Sequence, residues 1–246
     1  MLVTTPGLDA DVEPAAAREA LAKELALVFA ADSSAASCGC LQPAAVAERR
    51  QPPTAHGGGQ VTALLAEADP DLVVVAAGTR PRMAPIDEQS WESFSTPWNV
   101  DVKIAFEVGR AALARPLPPD STVAIVSSGA GLNPNGSPLS GGYAGAKRMP
   151  MFMTGYLQRA ADAHELEIRF VALAPLQFLI GTRIGEAAAA AYGAEAGESP
   201  EEYITSWPAP LDPAGVARAI LSIATGEEQP DATVLGVTGE GLEPIR

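Results

Sequence analysis

The sequence is poor in several residue types that carry chemistry or attract particular partners. Only two of its 246 residues are cysteine and two are histidine, and 16 lysines and arginines stand against 30 aspartates and glutamates. The net charge of −14 disfavours nucleic acid and anionic membranes as partners. Cys38 and Cys40 are too few for a structural zinc site, and no other spacing of acids and histidines indicates a metal.

Long hydrophobic runs are missing as well. No apolar run is long enough to cross a membrane, and the first residues lack the charged-then-apolar pattern of an export signal. These absences predict a cytoplasmic protein in which Cys38 and Cys40 are reduced thiols. The chain is 47% hydrophobic and only 5% aromatic, which suits a core built from alanine, valine and leucine.

Apolar strands alternate with helical patterns along the chain. Strands are predicted at residues 2–4, 25–31, 72–77, 122–126, 168–174 and 233–237. Helices are predicted at residues 14–24, 43–50, 61–68, 99–113, 143–164 and 213–224, and a capping box at residues 199–202. The alternation indicates an α/β fold with a doubly wound parallel sheet covered by helices on both faces, in a single domain over residues 1–246.

The stretch from Ser127 to Lys147 combines residue types that can move a proton. The predicted strand 122–126 ends at Ser127 and Ser128, and Tyr143 and Lys147 are four apart, so they share one helix face. A phenol has an ordinary pKa of about 10, and a nearby ammonium favours its ionised form. Such a phenol can give or take a proton at a carbonyl or alcohol oxygen, and a serine hydroxyl can hold the same oxygen.

This order of elements resembles the short-chain dehydrogenase/reductase family, which has a strand, a serine pair, a loop and Tyr-x-x-x-Lys. Ala76-Ala77-Gly78 stands where the family has Asn-Ala-Gly, and residues 168–175 resemble its sixth strand and following proline. The resemblance implies a Rossmann-like fold. It makes Tyr143 the acid/base, Ser128 the holder of the substrate oxygen and Lys147 a residue that acidifies the tyrosine and contacts the nicotinamide ribose. Asn99 would hold a water in the proton relay.

The same resemblance implies a nicotinamide dinucleotide cofactor. Asp32 ends the predicted second strand, where NAD-preferring members carry an acid that binds the adenosine ribose and disfavours the extra phosphate of NADP. Ala77 and Gly78 would line the cofactor cleft, and Thr182 stands near the family's threonine contact to the nicotinamide amide. NAD(H) is therefore the expected cofactor, if one binds, and NADP is less favoured.

The front of the chain departs from the family pattern. A nucleotide-binding member has Thr-Gly-x-x-x-Gly-x-Gly, because glycine lets backbone amides approach the pyrophosphate closely. Here Thr5, Asp9 and Asp11 replace those glycines, and Gly7 is a shifted survivor. The two acids either cap the following helix or repel a phosphate there, and both effects can hold together. The sequence thus leaves open whether a dinucleotide binds or no cofactor does.

Two function classes follow. The first is a redox enzyme that moves hydride between NAD(H) and a small, fairly hydrophobic carbonyl/alcohol substrate under a lid at residues 178–210. The second is a non-redox protein on the same scaffold that has lost dinucleotide binding. It would be a lyase, isomerase or cyclase using Tyr143 for proton transfer, or a catalytically silent subunit. By resemblance, helices 99–113 and 143–164 would assemble a homodimer or homotetramer.

Overall fold

The computed structural model describes residues 2–5, 39–42, 45–46, 58–179, 181–207 and 211–245. Within them, strands form one sheet in the order β3-β2-β1-β4-β5-β6-β7-β8. The strands are β1 (Leu2–Thr5), β2 (Gly39–Gln42), β3 (Ala45–Val46), β4 (Leu72–Val75), β5 (Ser121–Val126), β6 (Ile168–Pro175), β7 (Val234–Thr238) and β8 (Gly241–Pro244). The helices are α1 (Gly58–Ala68), α2 (Trp91–Pro97), α3 (Lys103–Ala114), α4 (Gly141–Ala163), α5 (Arg183–Ala196), α6 (Pro200–Thr205) and α7 (Pro213–Ala224). A π-helical turn, Trp98–Val102, joins α2 to α3, and 3-10 turns cover Ile86–Glu88 and Gly129–Leu132.

The centre of the sheet is parallel and buried on both faces. Strands β4, β5, β6 and β7 pair in parallel, and nearly all of their residues are buried. Valine, isoleucine and leucine dominate them, as expected for strands with no solvent-facing side. The predicted doubly wound fold is confirmed in this centre. Towards the edges the pairing changes, because β1 runs antiparallel to β4, β2 to β3 and β8 to β7.

Apolar side chains fill a core on each face of the sheet. On one face, Leu65 of α1, Val108 of α3 and Leu157 of α4 pack with Phe170 of β6. On the other face, Val216 and Ile220 of α7 pack against Leu173 and Leu235. Each of these helices contributes one apolar stripe to the core, so the helices cover both faces of the sheet. The ends of the strands stay uncovered at the edge of the sheet.

Local helix signals in the sequence are confirmed, one expectation is corrected, and one helix was not predicted. Asp212 caps α7 by accepting a hydrogen bond from Gly215, and Ser199 with Glu202 forms the predicted capping box before α6. The helix predicted at 43–50 is wrong where the structure describes it, because Ala45–Val46 pairs with β2 as a strand. Helix α5 was not predicted; its run of alanines gives a weak amphipathic pattern. The elements predicted at 14–24 and 25–31 lie outside the described residues.

Among the helices of the described residues, none combines the length and apolarity needed to cross a membrane.

Candidate active site

The register of the parallel strands brings three loops to one edge of the sheet. Val75 of β4 pairs with Ile125 of β5, and Val126 pairs with Leu173 of β6, so the strands end side by side. A cavity of about 770 Å³ lies at these ends. Its lining includes most of the residues predicted for the site, namely Ala77, Gly78, Ser128, Tyr143, Lys147 and Thr182. This is the edge at which doubly wound sheets bind their ligands.

The two serines after β5 have different surroundings. Ser127 is buried, and its hydroxyl donates to the main-chain carbonyl of Lys147, which fastens α4 to the strand end. Ser128 lines the cavity, and its Oγ accepts a hydrogen bond of 3.3 Å from the Ala130 N–H. A Cβ at Gly131 would lie 2.8 Å from the main-chain nitrogen of Arg148, so only glycine allows this close contact with α4. This close contact keeps the loop that carries Ser128 against α4, so Ser128 and α4 line the same side of the cavity.

Tyr143 and Lys147 share one face of α4, as their spacing predicts. The Lys147 Nζ lies 5.6 Å from the centre of the Tyr143 ring. Tyr143 is half-buried and Lys147 is buried, and both line the cavity. A cation at this distance is attracted to the aromatic ring and to any negative charge that forms on its oxygen.

Lys147 is paired with a carboxylate that the sequence-based reasoning missed. Asp101, in the π-helical turn, places Oδ2 3.2 Å from the Lys147 Nζ, and the two side chains are only 2% and 7% exposed. Asp101 Oδ1 accepts hydrogen bonds from the Thr79 N–H at 2.8 Å and the Thr79 hydroxyl at 3.2 Å. Burial lowers the pKa of Lys147, but attraction by Asp101 and Tyr143 outweighs burial and raises that pKa above its ordinary value of 10.5.

Asn99 does not join this group. Its side chain is exposed, donates to Ser95 Oγ at 3.3 Å and is not part of the cavity lining. The structure thus places Asn99, predicted for the proton relay, outside the cavity lining, and Asp101 is the residue of this turn that contacts Lys147. The sequence does contain a signal for Asp101. Helical spacing places it on the same helix face as Ala105 and Val108, which are buried.

The end of β4 is shaped to accept this ion pair. A Cβ at Gly78 would lie 2.9 Å from Asp101 Oδ2 and 3.3 Å from Lys147 Nζ, so a larger residue would push the pair away. Gly78 and its small neighbours Ala76 and Ala77 leave the cavity open at this point. Gly78 and Lys147 thus leave open space beside an ammonium group, where a ligand can lie.

The structure says less about the other residues predicted to bind a cofactor, namely Thr182, Gly7 and Asp32. Thr182 caps α5, because its hydroxyl donates to the Leu179 carbonyl at 2.8 Å and accepts from the Gly185 N–H at 3.1 Å. A hydroxyl has two lone pairs, so Thr182 can still accept one more hydrogen bond. Gly7 and Asp32 lie outside the described residues.

An aromatic wall closes the other side of the cavity. Phe178 makes edge contacts with Tyr203 and Trp207 at ring separations of 5.6 and 5.2 Å, and Tyr192 stacks on Tyr203 at 6.4 Å. Burial chiefly, and then Tyr192 and nearby acids, raise the pKa of Tyr203, so its phenol stays uncharged. The Gln177 Oε1 is buried at this wall without a hydrogen-bond partner in the described part of the chain. The wall therefore offers apolar ring surfaces and the unpaired Gln177 acceptor; the sequence predicts apolar side chains from residues 178–210 here but does not single out Gln177.

Comparisons with known proteins give the fold. No protein-family model matches the chain, and no curated protein matches it. Solved structures do match it. Sorbitol-6-phosphate 2-dehydrogenase from Erwinia amylovora is 22% identical over 76% of each chain, with a TM-score of 0.58. Levodione reductase is 18% identical over 81% of this chain and 76% of its own, with a TM-score of 0.60. NAD+-bound xylitol dehydrogenase is 17% identical over 74% of this chain and 73% of its own, with a TM-score of 0.57.

Proposed function

We propose that this chain, whose fold is that of the short-chain dehydrogenases/reductases, is an oxidoreductase that moves hydride between NAD(H) and a carbonyl/alcohol substrate. The observation that carries the proposal is the meeting of Ser128, Tyr143 and Lys147 at one cavity on the carboxyl edge of the parallel sheet. Three side chains from two consecutive elements, the loop after β5 and helix α4, supply a hydroxyl, a proton donor and an ammonium there. Similar structures hold NAD+ or NADPH, which supports a nicotinamide dinucleotide as the cofactor; the preference for NAD(H) rests on Asp32 alone.

In this proposal Tyr143 and Ser128 act on the substrate oxygen, and Lys147 acts on the oxygen of Tyr143. Tyr143 gives its phenolic proton to the carbonyl oxygen during reduction and takes it back during oxidation. Ser128 donates a hydrogen bond to the same oxygen and fixes its position. Lys147 stabilises the negative charge left on the Tyr143 oxygen, since its ammonium lies beside the ring. When bound, NAD(H) supplies or accepts the hydride.

The residues assigned to the cofactor divide into two groups. Ala77, Gly78 and Lys147 would hold the nicotinamide half in the described cavity. The remaining lone pair of Thr182 suits the N–H of a carboxamide. For the other half of the cofactor, we keep Gly7 at the phosphates and Asp32 at the adenosine ribose as proposals from the sequence, with NAD(H) favoured over NADP(H).

The substrate is proposed to be small and fairly hydrophobic. The aromatic wall of Phe178, Tyr192, Tyr203 and Trp207 faces the same cavity as Tyr143. We assign residues 178–210 as a lid over the substrate, with its described parts, 178–179 and 181–207, supplying these rings. A hydroxyl or N–H on the substrate would satisfy the Gln177 acceptor, because a buried acceptor without a partner costs free energy.

A homo-oligomer is proposed on the outer faces of α3 and α4. Phe106 of α3 and Phe152 and Tyr156 of α4, here taken together as the aromatic patch, are 49%, 69% and 62% exposed. Exposed aromatic residues of this size are enriched at protein interfaces. Two copies of this chain joined through the patch would bury them.

The Tyr143→Phe variant tests the redox proposal. It should bind NADH as the wild type does but lose turnover by about 100-fold or more, because it removes only the transferable proton. Tyr156→Phe, on the same helix and 62% exposed, is the matched control and should keep its activity. Turnover by Tyr143→Phe equal to that of the control would remove Tyr143 from the mechanism.

A non-redox function is the second candidate, because Thr5, Asp9 and Asp11 stand where glycines would cradle the pyrophosphate. In that case Tyr143 would transfer protons for a lyase, isomerase or cyclase, or the chain would be a silent subunit. Turnover that depends on Tyr143 but not on added NADH would favour the lyase, isomerase or cyclase.

A further inference from the structure

We propose that Asp101 is a positioning residue of this site, which holds Lys147 charged and in place beside Tyr143. The inference rests on the proposed function, since it concerns the lysine that would stabilise the Tyr143 oxygen. The starting observation is an ion pair of 3.2 Å between two side chains almost fully removed from water. A buried ammonium is costly unless a counter-charge and hydrogen bonds hold it.

The Asp101 carboxylate is itself fixed from two sides. Thr79 donates its N–H and its hydroxyl to Oδ1, which orients the carboxylate and leaves Oδ2 for Lys147. Oδ2 has no hydrogen-bond partner elsewhere in the described residues. The π-helical turn that carries Asp101 is an irregularity of a kind often found at functional sites. The carboxylate is thus held in place with one oxygen aimed at one cation.

The charges around Lys147 indicate which group controls its proton. Asp101 faces it from the π-helical turn and Tyr143 from its own helix, whereas Gly78 and Thr79 at the end of β4 bring no charge. Arg183 also lines the cavity and adds no negative charge. Among the described residues, Asp101 is therefore the carboxylate that offsets the burial of Lys147. Without it, burial would favour a neutral amine, and a neutral amine cannot stabilise a phenolate.

A purely structural ion pair would give the same contacts, so the test must follow the proton. The chain has lysine only at positions 23, 103 and 147, and isotope-labelled lysine therefore gives a simple side-chain NMR spectrum. The Lys147→Arg variant identifies the Lys147 signal by its loss. This measurement needs neither cofactor nor substrate. It therefore decides the role of Asp101 even if NADH does not bind and the proposed function fails.

We expect the Lys147 signal to titrate above 10.5 in the wild type and at a lower pH in Asp101→Asn. Asparagine keeps an oxygen for the Thr79 hydrogen bonds and removes only the charge. Glu107→Gln is the matched control, because it removes a carboxylate of α3 whose partner, Arg110, is 56% exposed. The control should leave the Lys147 titration unchanged. An unchanged midpoint in Asp101→Asn would overturn the inference.

Enzyme activity provides the second readout. Asp101→Asn should lower kcat by about tenfold or more, because the charge beside Tyr143 is lost or displaced. Its activity should also decline at a lower pH than that of the wild type as pH rises, a change that lost stability alone would not produce. The same pH profile in both proteins would overturn the inference. If Asp101→Asn does not fold, a wild-type Lys147 midpoint below 10.5 would overturn it instead.

Discussion

The buried Asp101–Lys147 pair makes a quantitative prediction about stability. Asp101→Asn should lower the free energy of unfolding by about 3–5 kcal/mol near neutrality, because it leaves a buried ammonium without its counter-charge. Both side chains are under 10% exposed, at 2% and 7%, so water is a poor replacement for the lost partner. Glu107→Gln breaks the exposed pair with Arg110 and should cost at most about 1 kcal/mol.

A double-mutant cycle separates the pair from its surroundings. Lys147→Met leaves the Asp101 carboxylate buried and unpaired, and it should destabilise the protein about as much as Asp101→Asn. The double variant Asp101→Asn/Lys147→Met leaves no buried charge, so it should be more stable than either single variant. Urea unfolding followed by circular dichroism, at one protein concentration for all variants, measures the four free energies.

The ion pair also predicts how the free energy of unfolding depends on pH. The pKa of Lys147 in the folded wild type lies above its ordinary value of 10.5, so its stabilisation is complete below 10.5 and is lost as pH rises through the folded pKa. In Asp101→Asn, burial acts without the carboxylate and lowers that pKa. The variant's penalty is then largest near neutrality and shrinks in alkaline buffer, where Lys147 can lose its proton.

Two results would refute this reasoning. One is a double variant whose loss of stability equals the sum of the two single losses, because additivity means that the two side chains do not interact. The other is an Asp101→Asn penalty that stays constant from neutral to alkaline pH, because the missing charge then has no link to the Lys147 proton.

Two further predictions concern the rest of the site and the surface. Ser128→Ala should lower kcat by about 100-fold while leaving NADH affinity unchanged, because one hydrogen bond to the substrate oxygen is lost; steady-state kinetics with calorimetry checks this, and unchanged kcat would contradict it. Phe152→Glu places a charge in the aromatic patch of α3 and α4 and should convert a homo-oligomer into monomers in sedimentation experiments. The same sedimentation coefficient in variant and wild type would contradict an interface at that patch.

Features encoded by neighbouring residues could be predicted from the sequence. Tyr143 and Lys147 share a helix face because of their spacing, and the caps of α6 and α7 follow from Ser199 and Asp212. In the same way, the valine-rich segment before Ala76 forms a buried strand. Each of these depends on contacts within one turn or one strand, so tertiary packing had little to change.

The features that could not be predicted depend on contacts between segments distant in sequence. The resemblance to the family points to Asn99, whereas helical periodicity with Ala105 and Val108 places Asp101 on the buried face. The ion pair itself joins residues 46 positions apart, and no local pattern encodes it. Strand β3 likewise exists through its pairing with β2, which overrides the helix pattern around it.

Calorimetric titration of the purified protein with NADH and then NADPH tests the central claim most directly. The proposed function predicts micromolar binding of NADH and much weaker binding of NADPH, because the sequence places Asp32 at the adenosine ribose. Binding of neither at millimolar concentration would contradict hydride transfer by this site, and the search would then turn to non-redox substrates of Tyr143.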